Sequence, residues 1–255
     1  MLRSVKEING YMIQAKDGKI GRCKDFLFDD ETWTIRYMVA DTGKWLPDKK
    51  VLISPISLGE PDWASNLFPV RLSKKQIEQA PELDDNAPVS RQYEIKYHEY
   101  FGWPLYWQGL EVWGPYNYPG PLFSEKKKEG VEVGYQNGDP HLRSAREVTG
   151  YYIHATDGEI GHAKDFIVDD QTWIIRYMVI DTSNWLPGSR KVLVSPTWVD
   201  LVDWLENRVN MDLTVEQIKQ GPEYDPSEPI NRTYESGSTI FTVGRNTGNR
   251  YLSRK

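Results

Sequence analysis

Paired aspartates are the first residues in this sequence that could do chemistry. Five of them recur at matching places in two halves of the chain: Asp17, Asp25, Asp29, Asp30 and Asp41, matched by Asp157, Asp165, Asp169, Asp170 and Asp181. Clustered carboxylates can bind Ca²⁺ or act as a general acid–base pair. Aspartates at the ends of strands more commonly accept hydrogen bonds from nearby backbone amides. Because no EF-hand spacing occurs, we predict turn-stabilising roles and keep metal binding or catalysis as the alternative.

The other metal ligands and nucleophiles do not form a repeated set. Histidine occurs only at His98, His141, His154 and His162, with no HExxH spacing. His154 and His162 flank one predicted turn, so a metal pair there is the alternative to two surface histidines. Cys23 is the single cysteine and is matched by Ala163, which excludes an internal disulfide and a duplicated thiol mechanism. We predict no catalytic residue, no metal and no cofactor, and therefore a protein that is not an enzyme.

Composition and charge narrow the classes of function further. The 255 residues are 39% hydrophobic and 27% charged, which is typical of a soluble globular protein. The net charge of −6 argues against direct nucleic-acid binding. No apolar run approaches the roughly 18 residues of a membrane span, and the first residues carry no apolar secretory core. We expect a cytoplasmic protein without membrane insertion, and peripheral membrane association stays open.

The chain contains one unit twice. The segment GYMIQAKDGKIGRCKDFLFDDETWTIRYMVADTGKWLP from Gly10 is repeated from Gly150 with an offset of 140 residues. After Pro187 the second copy gains one residue, and the offset of 141 then holds as far as Tyr234 and Glu235. A unit that occurs only twice, at an offset that changes by a single residue, indicates two domains rather than a solenoid.

Each copy predicts short strands followed by a short helix. Asp17-Gly18 is typical of a hairpin turn, residues 33–41 alternate as a strand, and Ser73 or Thr214 is placed to cap the helix. Short strands separated by turns predict an all-β-dominated fold of two small, mostly antiparallel barrels, because closure removes exposed strand edges. We predict barrels at 1–94 and 141–235, a linker at 95–140 and a flexible polar tail at 236–255.

The linker contains the candidate interaction residues. From Tyr97 it is dense in Trp, Tyr, Pro and Gly, a composition that we expect to resist regular helix. Its rings either wrap over a barrel or form an exposed docking surface. The candidate protein-interaction residues are Trp103, Trp107, Trp113, Tyr116, Arg36 and Arg176. The two arginines lie in the predicted strands, where each either pairs with a shared aspartate or marks a binding surface.

Several motifs together resemble the PRC-barrel family. These are the DG-x-IG hairpin, the DF…DD turn, the W-x-IRYMV strand and the VLxSP segment, all present in both copies. The resemblance covers roughly residues 4–94 and 144–235 and implies small β-barrels of about six strands. In the family's H subunit of the photosynthetic reaction centre and in a ribosome maturation factor, the barrel is a docking or structural module.

Three functions follow as hypotheses. The first is a docking adaptor built from two PRC-barrels, which either pair within the chain or assemble as a homodimer. This adaptor would support a membrane-associated or photosynthetic-type electron-transfer complex by binding an unknown protein partner. The second is a ribosome-assembly or RNA-processing factor that acts through a ribosomal protein. The third is a small-ligand binder, for example of carbohydrate, that uses the aromatic linker.

Overall fold

The computed structural model describes residues 1–47, 49–83, 88–125, 142–182 and 190–227. The strands are, in chain order, β1 Leu2–Ser4, β2 Met12–Ala15, β3 Gly18–Asp29, β4 Thr34–Asp41, β5 Val51–Ile53, β6 Leu67–Pro69, β7 Leu142–Ser144, β8 Tyr152–Ala155, β9 Gly158–Asp169, β10 Ile175–Asp181, β11 Lys191–Val194, β12 Val199–Asp203 and β13 Arg208–Met211. The helices are α1 Val5–Ile8, α2 Lys74–Glu78, α3 Arg91–Phe101, α4 Ala145–Val148 and α5 Val215–Lys219. Single 3₁₀ turns lie at Pro55–Ser57, Gly120–Phe123 and Pro196–Trp198. Strands dominate, as predicted.

The chain divides into two compact units that do not follow its linear order. The first-copy unit contains the described residues of the range 5–146 together with residues 170–174. The second-copy unit contains residues 1–4, 147–169 and the described residues from 175 onward. The predicted tail at 236–255, the end of the second copy at Tyr234 and Glu235, and the linker from 126 to 140 lie outside the described residues.

The first-copy unit is built on a mixed sheet of order β5-β4-β3-β2-β6. Its pairs are antiparallel except that β2 and β6 run parallel. β7 adds to the far end of β3, where Leu27 faces Ser144. The strands carry apolar side chains on both faces, and these side chains form the core. Its most deeply buried residues include Ile13, Phe26, Phe28, Ile35, Met38, Ile53 and Phe68.

The second-copy unit repeats this sheet with one more strand, in the order β11-β10-β9-β8-β13-β12. β8 and β13 are the parallel pair, and β1 adds to β9 as β7 adds to β3. Ile153, Phe166, Val168, Met178, Ile180, Val194 and Val209 are among the buried side chains at its centre.

The predicted closure into barrels is not seen. Among the described residues no ladder joins β5 to β6 or β11 to β12, so both sheets are open. Chain segments cover the outer edges instead: the Lys50 amide bonds to the Leu83 carbonyl beside β5, and the Leu193 amide of β11 bonds to the Pro222 carbonyl. Covering an edge removes the hazard of unpaired backbone groups as closure does.

The predicted helix signals are confirmed in both copies. Ser73 and Thr214 each accept a bond from the third helical amide, and Gln76 and Gln217 complete the capping boxes. Among the described residues, no helix combines the length and the apolar character that a membrane crossing requires.

Candidate functional site

α3 begins the segment that carries most of the predicted interaction residues. Ser90 caps its first turn by accepting a bond from the Tyr93 amide, and Gly102 ends it in the left-handed region with φ 72°. The expectation that the chain resists helix from Tyr97 is therefore wrong for residues 97–101. The reason is local: proline and glycine become dense only from Gly102 onward, and residues 91–101 contain neither.

The aromatic segment, residues 102–125, folds back on the first-copy sheet. Trp103 and Trp113 are buried, and the Trp113 indole donates to the Thr172 carbonyl at 2.8 Å. A tight reversal at Gly109 makes this path possible, because a Cβ there would lie 2.1 Å from the Gly114 carbonyl oxygen. Trp103 and Trp113 are core residues rather than exposed docking anchors, which corrects their assignment as interaction residues.

Arg36 lies at a β-bulge at the start of β4. Phe28 pairs with Ile35 and Leu27 with Tyr37, which leaves Arg36 as the extra residue. Because a bulge changes the direction of a side chain, the strict alternation predicted for this strand fails here. Trp33, predicted to open the strand, lies before it with φ 52°.

The Arg36 guanidinium is enclosed by the aromatic segment. It lies 4.0 Å from the ring centroid of Tyr106 and 4.7 Å from that of Trp113. It donates to the Val112 carbonyl at 2.5 Å and lies 3.7 Å from the Asp29 carboxylate. With only 2% of its surface exposed, Arg36 pairs with a shared aspartate as predicted and is not part of a binding surface.

A buried carboxylate lies behind this arginine. Glu94 on α3 accepts a bond from the Tyr106 hydroxyl at 2.7 Å and forms an ion pair of 3.0 Å with Arg91. Burial raises the pKa of the Glu94 carboxyl, although Arg91 and the Tyr106 hydrogen bond oppose that shift. Burial likewise raises the pKa of the Tyr106 phenol. Sequence motifs did not reveal this network because Tyr106 lies in the aromatic segment, outside the repeat, and no motif spacing connects it to Glu94.

His98 completes the interior of this region, which we call the arginine–aromatic core: Arg36, Arg91, Glu94, His98, Tyr106 and Trp113. The imidazole Nδ1 lies 2.8 Å from the Pro104 carbonyl oxygen and so donates to it, while Nε2 is buried with no hydrogen-bond partner in the described structure. Burial lowers the pKa of His98 to about 4, which keeps it neutral at pH 7. The arginine–aromatic core therefore has a structural role, because its contacts hold the aromatic segment against β4.

Trp107 and Tyr116 are the two linker candidates that retain access to solvent. Both are half-buried. The Arg91 guanidinium lies 4.2 Å from the Trp107 ring centroid. The nearby Glu125 carboxylate raises the pKa of the Tyr116 phenol. Only the outward parts of these two rings could contact a partner.

Arg176 occupies the same bulge position in the second copy but differs in its surroundings. Val168 pairs with Ile175 and Ile167 with Tyr177, which again leaves the arginine as the extra residue. Arg176 lies 3.6 Å from the Asp169 carboxylate, as predicted, yet 44% of its side chain is exposed. The same strand position is therefore enclosed in one copy and open in the other.

A second exposed feature of this unit is the outer face of three neighbouring strands, which we call the β8–β13–β12 face. Cross-strand pairing aligns Tyr152 with Arg208 and Asp203, and His154 with Asn210 and Leu201. The intervening side chains Ile153, Val209 and Val202 are buried, so these six residues point outward. Tyr152 is 51% exposed and Leu201 55%, and Leu205 in the following turn is 94% exposed.

A cleft of about 530 Å³ opens on this face. His154, Asp203, Arg208 and Asn210 contribute to its lining. His162 pairs with Tyr152 across the hairpin rather than with His154. In the part of the chain that the structure describes, no group of three or more His, Cys, Asp or Glu residues could hold a metal ion.

The shared aspartates accept hydrogen bonds from backbone amides, some nearby in the sequence and some distant. Asp29 accepts bonds from the amides of Glu31 and Thr32, which confirms the predicted turn role. Asp17 instead reaches the first amide of α2, Lys74, at 2.7 Å, and Asp157 reaches the equivalent amide of α5. These two therefore act as additional helix caps across about 57 residues of sequence.

Asp25 and Asp165 fasten the added strands. Ser144 of β7 donates its hydroxyl to Asp25, and Ser4 of β1 donates to Asp165, both at 2.5 Å. Arg143 of β7 also pairs with Asp30 at 2.9 Å. The position shared by Asp25 and Asp165 thus has a structural role that no turn motif predicts.

No protein-family model matches this chain, and no curated protein matches it. The two copies therefore supply the most informative comparison, because they share sequence and strand order. Some equivalent positions are buried in one copy and exposed in the other. The shared local sequence does not determine the exposure of these positions.

Proposed function

We propose that this chain is a tandem PRC-type protein that docks a protein partner through its second copy and does not itself catalyse a reaction. The repeated DG-x-IG, W-x-IRYMV and VLxSP motifs support the family assignment, with open sheets in place of closed barrels. The family's use of its barrel as a docking module supports the adaptor role. Supporting a membrane-associated electron-transfer complex, as the resemblance implies, is the proposed setting.

One observation carries the proposal: the β8–β13–β12 face exposes large apolar side chains where the first copy has smaller or charged ones. Leu201 stands at the position of Glu60, and Leu205 at that of Ala64. Folding gains nothing from apolar side chains left in water, whereas an interface gains roughly 25 cal/mol for each Å² of apolar area that it covers. The arrangement supports a partner that covers Leu201 and Leu205.

The carbohydrate hypothesis, which uses the aromatic linker, stays a prediction. Trp103 and Trp113 are buried, so only the half-buried rings of Trp107 and Tyr116 support it. The ribosomal hypothesis stays a prediction, and it also requires a protein partner.

Site-specific photo-crosslinking in native cells tests the proposal. A photoreactive amino acid placed at Leu201 is expected to capture one defined protein, while the same group at the matched position Glu60 captures none. A second variant, Leu205→Glu, should reduce the capture at position 201 because it puts a charge into the covered area. Equal capture from positions 201 and 60, or no capture from either, would contradict docking through this face.

A further inference from the structure

We propose that Arg176 is a binding site for a partner segment that places two aromatic rings against the guanidinium group. The inference rests on the proposed function, since it assumes that the second copy receives a partner. It adds the chemistry of what binds: a glycine- and proline-rich stretch that carries a Tyr and a Trp and offers a backbone carbonyl to the arginine.

The first copy shows how such a segment is held. Tyr106 and Trp113 lie on the Arg36 guanidinium with centroid distances of 4.0 and 4.7 Å, and the Val112 carbonyl accepts its hydrogen bond. A planar guanidinium can stack on rings and donate in its own plane at the same time. The segment thus supplies two ring contacts and one backbone acceptor to a single arginine.

The second copy has the same arginine and aspartate at the matching positions. Arg176 is at the same bulge, and Asp169 lies 3.6 Å from its guanidinium as Asp29 lies 3.7 Å from that of Arg36. The carboxylate restrains the guanidinium, so less freedom is lost when rings stack on it. The side chain is 44% exposed, against 2% for Arg36.

Residues 236–255 differ in composition from the covering segment. Residues 102–125 contain three tryptophans, whereas residues 236–255 contain none and have only Phe241 and Tyr251 as aromatic residues. A partly exposed arginine beside a carboxylate belongs to a residue type that is enriched where protein interfaces gain most of their energy. A segment that fits Arg176 therefore has the groups that contact Arg36, which are two aromatic rings and a backbone carbonyl.

A synthetic peptide of residues 102–125 supplies a defined probe. Its binding to the full chain is measured by fluorescence anisotropy of an attached dye. The segment within the chain has an effective concentration of order mM at Arg36, so the added peptide reports on Arg176. We expect saturable binding, weakened about ten-fold by Arg176→Ala, because a desolvated cation–π contact is worth roughly 1–2 kcal/mol.

Matched controls define what the peptide recognises. Arg190→Ala removes another exposed arginine of the same unit, outside the β8–β13–β12 face, and should leave binding unchanged. Arg176→Lys keeps the charge but loses the planar stack, so it should weaken binding nearly as much as alanine. A peptide with alanine for both Tyr106 and Trp113 should not bind. Circular dichroism verifies that each protein variant is folded.

Three results would overturn the inference. The first is no binding at a peptide concentration about 100-fold above the micromolar dissociation constant that such weak contacts are expected to give. The second is binding that Arg176→Ala leaves unchanged. The third is binding that occurs only when Phe241 and Tyr251 are replaced by alanine, because the chain itself would then fill the site. Capture from position 201 with failure here removes only the inference, whereas peptide binding without any capture removes only the proposed function.

Discussion

The two arginines of the repeated strand should differ sharply in their contribution to stability. We consider Arg36→Met and Arg176→Met, which remove the guanidinium and retain an unbranched chain of similar reach. In the first copy the change leaves the Asp29 carboxylate, 7% exposed, without its cation, and leaves the Val112 carbonyl without its donor. In the second copy the change affects an arginine in contact with water.

The magnitudes follow from burial. Removing one member of a buried ion pair costs about 3–5 kcal/mol, because a desolvated charge is left uncompensated. Loss of the stacks on Tyr106 and Trp113 acts in the same direction. An exposed pair such as Arg176 with Asp169 contributes about 0–1 kcal/mol. We therefore expect Arg36→Met to lower the free energy of unfolding by several kcal/mol more than Arg176→Met does.

Urea unfolding followed by near-ultraviolet circular dichroism measures this difference. The tryptophans and tyrosines packed around Arg36 supply the signal, so the first-copy unit should unfold at lower urea in Arg36→Met. The spectrum of Arg176→Met should match that of the unmodified chain. If the two variants lose the same stability, enclosure by the aromatic segment does not determine the role of this arginine, and the reasoning is refuted.

Three further expectations rest on single buried or bonded groups. Burial lowers the pKa of His98 in the folded chain to about 4, below the usual 6.5. Its contribution to the free energy of unfolding is therefore full above about pH 6.5 and is lost as the pH falls towards 4. His98→Asn should flatten the fall of the urea midpoint over that range, and an unchanged profile would exclude His98 as the source of the fall. Asp17→Ala and Asp157→Ala should each cost about 1 kcal/mol, measured by urea unfolding, because each frees a helix-end amide; a cost in only one copy would contradict a shared capping role. Burial raises the pKa of the Cys23 thiol, so an aromatic disulfide reagent at pH 8 should label it only on unfolding; fast labelling of the folded chain would show that the thiol is accessible.

Local signals in the sequence predicted local structure well. The capping boxes at Ser73 and Thr214 and the pairing of Arg36 and Arg176 with aspartates appear where the residue types require them. Each depends on residues within a few positions or on a neighbouring strand. Such interactions are determined by short-range stereochemistry that a single sequence carries.

The features that the sequence did not predict depend on distant parts of the chain. The bulge at Arg36 breaks the alternation that a strand pattern assumes, and only the pairing with β3 reveals it. The Glu94 network joins α3 to the aromatic segment, and no spacing rule connects those residues. Whether Trp103 and Trp113 are core or docking residues depended on whether the linker finds the sheet, which composition alone leaves open.

The added strands show most clearly why a repeated sequence underdetermines its fold. Leu2–Ser4 and Leu142–Ser144 have the same sequence, Leu-Arg-Ser, yet β1 completes the sheet of the second copy and β7 that of the first. The bonds that fasten them, Ser4 to Asp165 and Ser144 to Asp25, are identical in type and length. Each strand therefore carries the same local information for either sheet, so chain connectivity and the remainder of the packing must decide the pairing. Duplication preserved the receiving sites, and the unique aromatic segment made the two copies unequal. The difference between the copies is for this reason a better guide to function than the residues that they share.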